Sequence, residues 1–308
     1  MIYLYLNLVK FFCNYLPPII SQKLRDILFK RNSKKLPKSV LVQSVTGSFL
    51  RVDLNDFCGF PFFIHGYFDW RVMAIAKAVC QNEGSIVEVG ANIGTETIGF
   101  TDIIGNNHQV YAFEPVPQLF KNLEEIKLKK DNLNIFPFII GNKSKLLKFN
   151  LSKNLNNSAI GHISYSKSSE DEVIYVECKK LDSFFNSFNN ISLIHIDAEG
   201  ADLNVILGGL KLIKRDSPVI IAELSEKLLK RYNQNIFDFL SILSKCNYEI
   251  YAITRLGIKS FKKDHITKNK NVVCIPTKKI DLFMKINKMI LKVGITPMLK
   301  YLNPLKTG

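Results

Sequence analysis

Residues 85–94, Ser-Ile-Val-Glu-Val-Gly-Ala-Asn-Ile-Gly, restrict the fold of this chain more than any other stretch. A run rich in β-branched residues ends at Gly90, the chain turns through Ala91, Asn92 and Ile93, and a helix-compatible stretch follows Gly94. Strand, tight turn and helix start in that order carry backbone N–H groups and a helix N-terminus toward a ligand, because glycine accepts turn dihedrals and has no Cβ to block approach. The spacing is G-x-N-x-G rather than the G-x-G-x-x-G of a dinucleotide fold. About twenty residues on, Val110-Tyr-Ala-Phe-Glu114-Pro115 supplies a second strand ending in a carboxylate, placed to accept hydrogen bonds from both hydroxyls of a ribose.

The rest of the middle repeats this rhythm. Strands are expected at 85–90, 109–114, 134–140, 192–197, 218–223, 248–254 and 271–275, with helix-compatible segments separating the first five. The expected fold is therefore α/β: a seven-stranded, mostly parallel sheet with helices on both faces. The last two strands, joined by a basic loop from Arg255 to Lys270, form an antiparallel edge pair. An insertion at 143–190 separates the third and fourth parallel strands. It holds an alternating run from Lys145 to Leu151, an Asn/Ser-rich loop and a run from Val173 to Cys178. Polar loops at the carboxyl ends of strands are the usual place for substrate recognition.

With 308 residues, 47% of them hydrophobic, the chain can bury a full α/β core and holds one large domain with terminal additions. The net charge of +15 suggests nucleic acid until it is divided by region. Residues 1–45 carry eight Lys and Arg against one acid, residues 255–308 thirteen against two, and residues 46–254 twenty-one against twenty-four. The basic charge lies in the flanks, which argues against a phosphate-binding groove in the core and favours a membrane surface as partner. Three regions follow: a basic, apolar extension at 1–45, the main domain at 46–277 and a basic amphipathic tail at 278–308. The apolar run from Met1 to Leu16 is interrupted by Asn7, Lys10 and Asn14 and ended by Pro17-Pro18. It is too short to span a bilayer and lacks the basic start and small-residue cleavage site of a signal peptide. The tail mixes Phe283, Met284, Ile286, Met289, Ile290 and Leu291 with lysines at 278, 279, 285, 288 and 292, the pattern of an interfacial helix. A plainer role also suits both ends, packing on the core with lysines in water, since charged helix faces are usually just solvated. The six cysteines are scattered, without C-x-x-C pairs or histidines at ligand spacing, so they read as reduced thiols of a cytosolic protein and no metal site is expected.

The series E-V-G-A-N-I-G, Y-A-F-E-P-V-P, I-I-G-N, K-K-L-D-S-F, I-H-I-D-A-E-G-A-D and P-V-I-I-A-E, in this order from about Ile86 to Tyr251, resembles the FkbM family of S-adenosylmethionine-dependent methyltransferases. The resemblance implies a class I methyltransferase fold and O-methylation of a hydroxyl, commonly on a sugar or a polyketide-like product. The chain departs from the family pattern in having Glu88 where Asp is commoner and His195 where Lys is usual.

The residues fit that chemistry. A cationic sulfonium cofactor needs acceptors for its ribose and amino-acid groups and negative potential near its charge. Glu88 is placed to meet the methionine ammonium, Gly90, Asn92 and Gly94 shape the loop, and Glu114 with Pro115 lies at the ribose. Gly141 and Asn142, after Ile140, fall beside the expected adenine, although Asn142 serves equally as a turn residue. Methyl transfer is an in-line displacement that needs positioning, and an alcohol acceptor must lose its proton. Asp197 is the first choice for that base, His195 the second, and Glu199, entering the next helix, supports either. His195 reads equally as a core histidine and Glu199 as a carboxylate favoured by the helix dipole. Glu223 closes the following strand and is a further candidate. His162, with Asn157 and Ser158, is the histidine outside this cluster placed to meet substrate. His65, His108 and His265 lack a partner pattern.

Three other classes are weaker. A nicotinamide-dependent oxidoreductase lacks its glycine at position 92, and a nucleic-acid methyltransferase lacks an N-P-P-Y-type motif or an aromatic platform. A non-catalytic methyltransferase-like binding protein conflicts with intact Glu88, Asn92, Glu114 and Asp197. The partner expected is a hydroxyl-bearing glycan or small molecule, with peripheral contact to an anionic membrane.

Overall fold

A computed structural model describes residues 2–28, 36–80, 84–151, 161–163, 172–185, 190–262, 270–299 and 301–307. The chain begins with α1 (Ile2–Asn14), α2 (Pro18–Leu28), a hairpin of β1 (Val40–Gln43) and β2 (Phe49–Val52), then α3 (Gly59–His65) and α4 (Trp70–Cys80). Alternation starts with β3 (Ser85–Val89), α5 (Thr95–Ile104), β4 (Val110–Phe113), α6 (Pro117–Lys127) and β5 (Leu133–Phe136). The insertion follows as β6 (Ile139–Ile140), β7 (Lys145–Leu151), β8 (Gly161–Ile163) and β9 (Glu172–Lys179). The second half runs β10 (Ile191–Ile196), α7 (Asp202–Gly208), α8 (Leu210–Asp216), β11 (Val219–Leu224), α9 (Glu226–Leu229), α10 (Ile236–Lys245), β12 (Tyr248–Thr254), β13 (Gly257–Ser260), β14 (Lys270–Pro276) and α11 (Leu282–Ile295).

The main sheet has eight strands in the order β13-β12-β14-β11-β10-β3-β4-β5. Its five strands from β11 to β5 are parallel, and β14, β12 and β13 are joined to them by antiparallel pairing. From β3 the chain moves outward to β5 and then returns to β10 on the other side of β3. The strand order therefore reverses between β3 and β10, the place where an open α/β sheet forms its ligand crevice.

Two expectations need correction. The third strand does not run from 134 to 140: β5 stops at Phe136, and β6 pairs with β9 in a separate four-stranded sheet. Pro137 lies at the break, and proline has no N–H to give a continuing ladder. The segment after Arg255 is not all loop. Thr254 pairs with Gly257 across a two-residue turn of Arg255 and Leu256, and β13 becomes the sheet edge. In the insertion, the alternating run becomes β7 and pairs antiparallel with β9, from Lys145 opposite Cys178 to Leu151 opposite Glu172.

Two apolar cores sandwich the sheet. One joins α4, α5 and α11 to the face carrying Ile86, and the other joins α7, α8 and α10 to the face carrying Val87 and Val89. The alternation of β3 thus decides that Glu88, on the Ile86 face, points beneath α4 and α5. α11 packs on α4, where Gly294 allows close approach: a Cβ there would stand 2.8 Å from the Trp70 ring. α1 sends Leu6, Val9 and Cys13 into the same core. Among the described residues no helix is long and apolar enough to cross a membrane. All six cysteines are free, and five are buried.

Candidate active site

The crevice at the strand reversal is a cavity of about 350 Å³, within the range of small-molecule sites. Its walls come from the carboxyl ends of β3, β4, β10 and β11, from residues 57–58 and 68–69 before α3 and α4, and from Phe138–Ile140. The Gly90 turn closes against the Asp197 turn. The Asp197 N–H donates to Val89 O at 2.9 Å, and a Cβ on Gly90, whose φ is +87°, would lie 2.0 Å from Asp197 O. Only glycine fits there.

The turn holds itself rather than offering free donors. The N–H groups of Gly90 and Ala91 both donate to Phe113 O, that of Asn92 to Glu114 Oε2 at 2.8 Å, that of Ile93 to Asn92 Oδ1, and that of Gly94 to Ala91 O. The expectation of bare N–H groups is corrected: this loop is not built for phosphate. Glu114 also accepts the Val116 N–H on its other oxygen at 2.9 Å, so each oxygen is fixed by one backbone donor and keeps a lone pair for a ligand. Burial raises its pKa to about 7 against the pull of those two donors.

Among the described residues the cavity lining has six carboxylates, Asp69, Glu96, Glu114, Asp197, Glu199 and Glu223, and no Lys or Arg. Burial raises Glu96, Glu199 and Glu223 to about 7, and Asp197 adds repulsion to the last two. Asp197 opens into the cavity space while protein walls surround it, and this enclosure raises its pKa against the opposing pull of His195. Burial would also raise Asp69, but the Arg71 guanidinium outweighs it and holds the carboxylate below its usual range.

His195 lines the floor of the cavity opposite Glu88 in the strand register. Its Nδ1 stands 3.8 Å from Glu88 Oε1, an ion-pair distance rather than a hydrogen bond, and Phe100 packs edge-on against its ring. Burial works against a charge on His195, but Glu88, Glu96 and Asp197 together raise its pKa.

The remaining expected residues separate into two groups. Gly90, Asn92, Glu114, Pro115, His195, Asp197, Glu199 and Glu223 all line the cavity. Glu88, Gly94, Gly141 and Asn142 do not. Glu88 is 1% exposed, accepts from Thr97 Oγ1 at 2.6 Å and lies under the floor, so it acts on a ligand only through His195. Gly94 is the N-cap of α5, and a Cβ on it would stand 2.4 Å from the Ile126 side chain. Gly141 is pressed on α7, where a Cβ on Gly208 would stand 2.0 Å from Gly141 O, and the wall near them is made by Phe138, Ile139 and Ile140 instead. Glu199 does not enter a helix: it occupies a left-handed turn with φ +50°, and α7 starts at Asp202. Asn157, Ser158 and His265 lie outside the described residues, and His162 falls in β8.

Sequence reasoning missed Asp69, Glu96, Asn271 and Tyr232 in the lining. It also missed Asp202, fully buried, with Oδ1 accepting the Glu223 N–H at 3.2 Å and Oδ2 without a partner. Burial, with the neighbouring Asp197 and Glu223, raises the Asp202 pKa well above its usual value. Glu96 stands two positions after Gly94 and was within reach of the motif. Asp69 comes from a segment that only tertiary packing brings to the site.

The family model for the methyltransferase FkbM domain matches residues 88–250, more than half of the chain. The chain belongs to the FkbM methyltransferase family. Its fold is the class I methyltransferase fold, and its cofactor is S-adenosylmethionine. No curated protein matches the sequence. Among solved structures, the methyltransferase FkbM of Methylobacillus flagellatus KT aligns with 14% identity and a TM-score of 0.41, over 63% of this chain and 44% of that one. TYW2 of M. jannaschii, solved with AdoMet, aligns with 14% identity and a TM-score of 0.41 over 78% and 86%. The fibrillarin of Aeropyrum pernix, solved with S-adenosyl-L-methionine, gives 11% identity and 0.40 over 79% and 84%. Likenesses at this level carry nothing about the acceptor.

Proposed function

We propose that this FkbM methyltransferase transfers the methyl group of S-adenosylmethionine to a hydroxyl of a sugar or glycan. The observation that carries this reading is the cavity lined, among the described residues, by six carboxylates and no Lys or Arg. The cofactor supplies an electrophilic methyl on a positively charged sulfur, and a wall of carboxylates suits that charge. The set also suits polyhydroxyl acceptors, since carboxylates accept hydrogen bonds from O–H groups. A polyphosphate acceptor meets repulsion from the same groups, which removes support from a nucleic-acid substrate.

Glu114 would hold the ribose diol, one hydroxyl on each oxygen, its orientation already fixed by Asn92 and Val116. Phe113, Phe138 and Ile139 give an apolar wall beside it that suits a flat base. Asp197, at the reversal point and open to the cavity, takes the acceptor proton, with His195 behind it held in place by Glu88 and Phe100. Glu199, Glu223 and Asn271 line the cavity wall on the β11 side and would receive the acceptor's other hydroxyls.

The test is turnover. Purified protein is incubated with S-adenosylmethionine and glycan extracts, and products are read by mass spectrometry for the increment of one methyl group. Methylated glycan formed by the wild type and lost in Asp197→Asn supports the reading. Binding of S-adenosylhomocysteine without any methylated glycan, or methylated RNA instead, overturns it.

A further inference from the structure

The outer face of α1 is apolar and bare. Leu6, Val9 and Cys13 enter the core, while Leu4 (69% exposed), Tyr5, Leu8, Phe11 and Phe12 face outward with Asn7, and Tyr15 extends the stripe. The spacing 4, 8, 11, 12, 15 is one continuous ridge on a helix. The Phe11 ring lies tilted against Tyr15 at 4.6 Å and edge-on to Phe12 at 5.7 Å, so the aromatic rings pack with each other in solvent. Lys10, the one charge of α1, is turned away over the Phe63 ring at 4.9 Å. A helix apolar on both sides and buried on one belongs against a second apolar phase.

The neighbours indicate which phase. α2 touches both α1 and α11, so the three helices form one layer. α2 adds exposed Ile20 and Ile27, and α11 adds exposed Met284, Leu291 and Ile295. Beside these apolar residues stand exposed Lys23, Lys285, Lys288 and Lys292. Within the three helices the one acid is Asp26, held by Arg25 at 2.8 Å, and Asp281 stands at the N-cap of α11. An uncharged ridge flanked by exposed cations is complementary to an anionic lipid surface, where apolar side chains enter the acyl boundary and lysines meet headgroups. α1 rests on α3, and Phe57 and Cys58, which lead into α3, line the cavity.

We infer that the outer face of α1, with the lysines of α2 and α11, docks the protein on an anionic membrane surface and lies in it without crossing. This stands apart from the reading of the acceptor, since it needs no turnover.

The full chain is floated with vesicles of phosphatidylcholine alone or mixed with phosphatidylglycerol, at about 0.1 M and 1 M salt, between which the screening length falls roughly threefold. Wild type is expected to float with the anionic vesicles, several-fold less at high salt. Leu8→Gln with Phe12→Gln, both outward-facing, should lower partitioning at least tenfold while melting temperature and S-adenosylhomocysteine affinity stay unchanged. Lys285→Glu with Lys288→Glu should remove the preference for anionic lipid, and it decides the matter if the first variant melts early. Wild type that fails to float, or a Leu8→Gln/Phe12→Gln variant that floats equally, overturns the inference. So does a wild-type dimer by sedimentation that this variant dissolves, which would assign the ridge to a second copy of the chain.

Discussion

Four carboxyls of one cavity, Glu96, Glu114, Glu199 and Glu223, have pKa values near 7, so at neutral pH the site holds a mixture of protonated and ionised acids. A cationic ligand favours the ionised forms, lowers these pKa values and must release protons on entering. Release makes binding tighter as pH rises. S-adenosylmethionine carries the sulfonium charge and S-adenosylhomocysteine does not, so the affinity ratio between them should move toward the methyl donor from pH 6 to pH 8. Calorimetry in buffers of different ionisation enthalpy reads the proton release directly, and a pH-independent ratio would show that the carboxylates do not meet the sulfonium. Glu114 should matter most for both ligands, because it positions the turn and offers the ribose acceptors. Glu114→Gln must turn an N–H toward one of its two backbone donors, and a loss on the order of 1.5–3 kcal/mol in binding is expected by titration. Asp197→Asn removes the base but keeps the shape, so turnover should fall roughly 10²- to 10⁴-fold with cofactor affinity within a few fold. Near-normal turnover would transfer the role to His195 or leave positioning alone.

The two turns that close the crevice depend on one contact between elements. Gly90→Ala places a methyl 2.0 Å from Asp197 O at a φ of +87°, so β3 and β10 must separate at their carboxyl ends. A cost of about 1–3 kcal/mol in urea unfolding is expected, with loss of cofactor binding. Gly105→Ala, at φ +64° and ψ −164° with open space around it, is the control: it meets only the backbone penalty of a region nearly reserved for glycine, about 1–3 kcal/mol, and leaves the site intact. The strand ending at Gly90 was legible because its β-branched run and glycine act locally. The same holds for β4, β10 and β11, each a continuous apolar run buried in a parallel sheet. The break at Pro137 was also written in the sequence, but the apolar Phe138-Ile139-Ile140 hid it. β13 was not legible, because its turn of Arg255 and Leu256 lacks the Asn-Gly type of signal and its burial comes from Asn287 and the α11 layer. Gly141 and Asn142 went astray for a related reason. Their place depends on how closely α7 approaches through Gly208, a packing fact that no local pattern carries.

Across the whole molecule, charge and acidity are divided between two places: cations on the flanking helices and poorly solvated acids around one cavity. The N-terminal segment that contributes Asp69 and the C-terminal one that contributes Asn271 both reach the site through tertiary packing, so the cavity is a product of the full chain rather than of the matched motifs. Its acids set a stability profile. Glu96, Glu114, Glu199 and Glu223 titrate near 7 when folded and near 4.5 when unfolded, so the folded state holds more protons in this window. Stability then falls as pH rises from about 4.5 to 7. His195 has the same sign, since its raised pKa gives stability that is present below the unfolded value of 6.5 and lost as pH climbs through the folded one. Asp69, lowered by Arg71, is ionised throughout the window and opposes neither. The unliganded protein should therefore melt higher at pH 5.5 than at pH 8, by at least about 2–4 °C, the shift that ~1 kcal/mol produces in a domain of this size. Saturating S-adenosylmethionine should narrow the gap, because its charge replaces the missing protons, and S-adenosylhomocysteine should narrow it less. Scanning calorimetry at both pH values with each ligand is the check. A protein whose melting temperature rises from pH 5.5 to pH 8 without ligand would mean that these acids are ionised in the folded state and that the cavity is wet enough to hold them so.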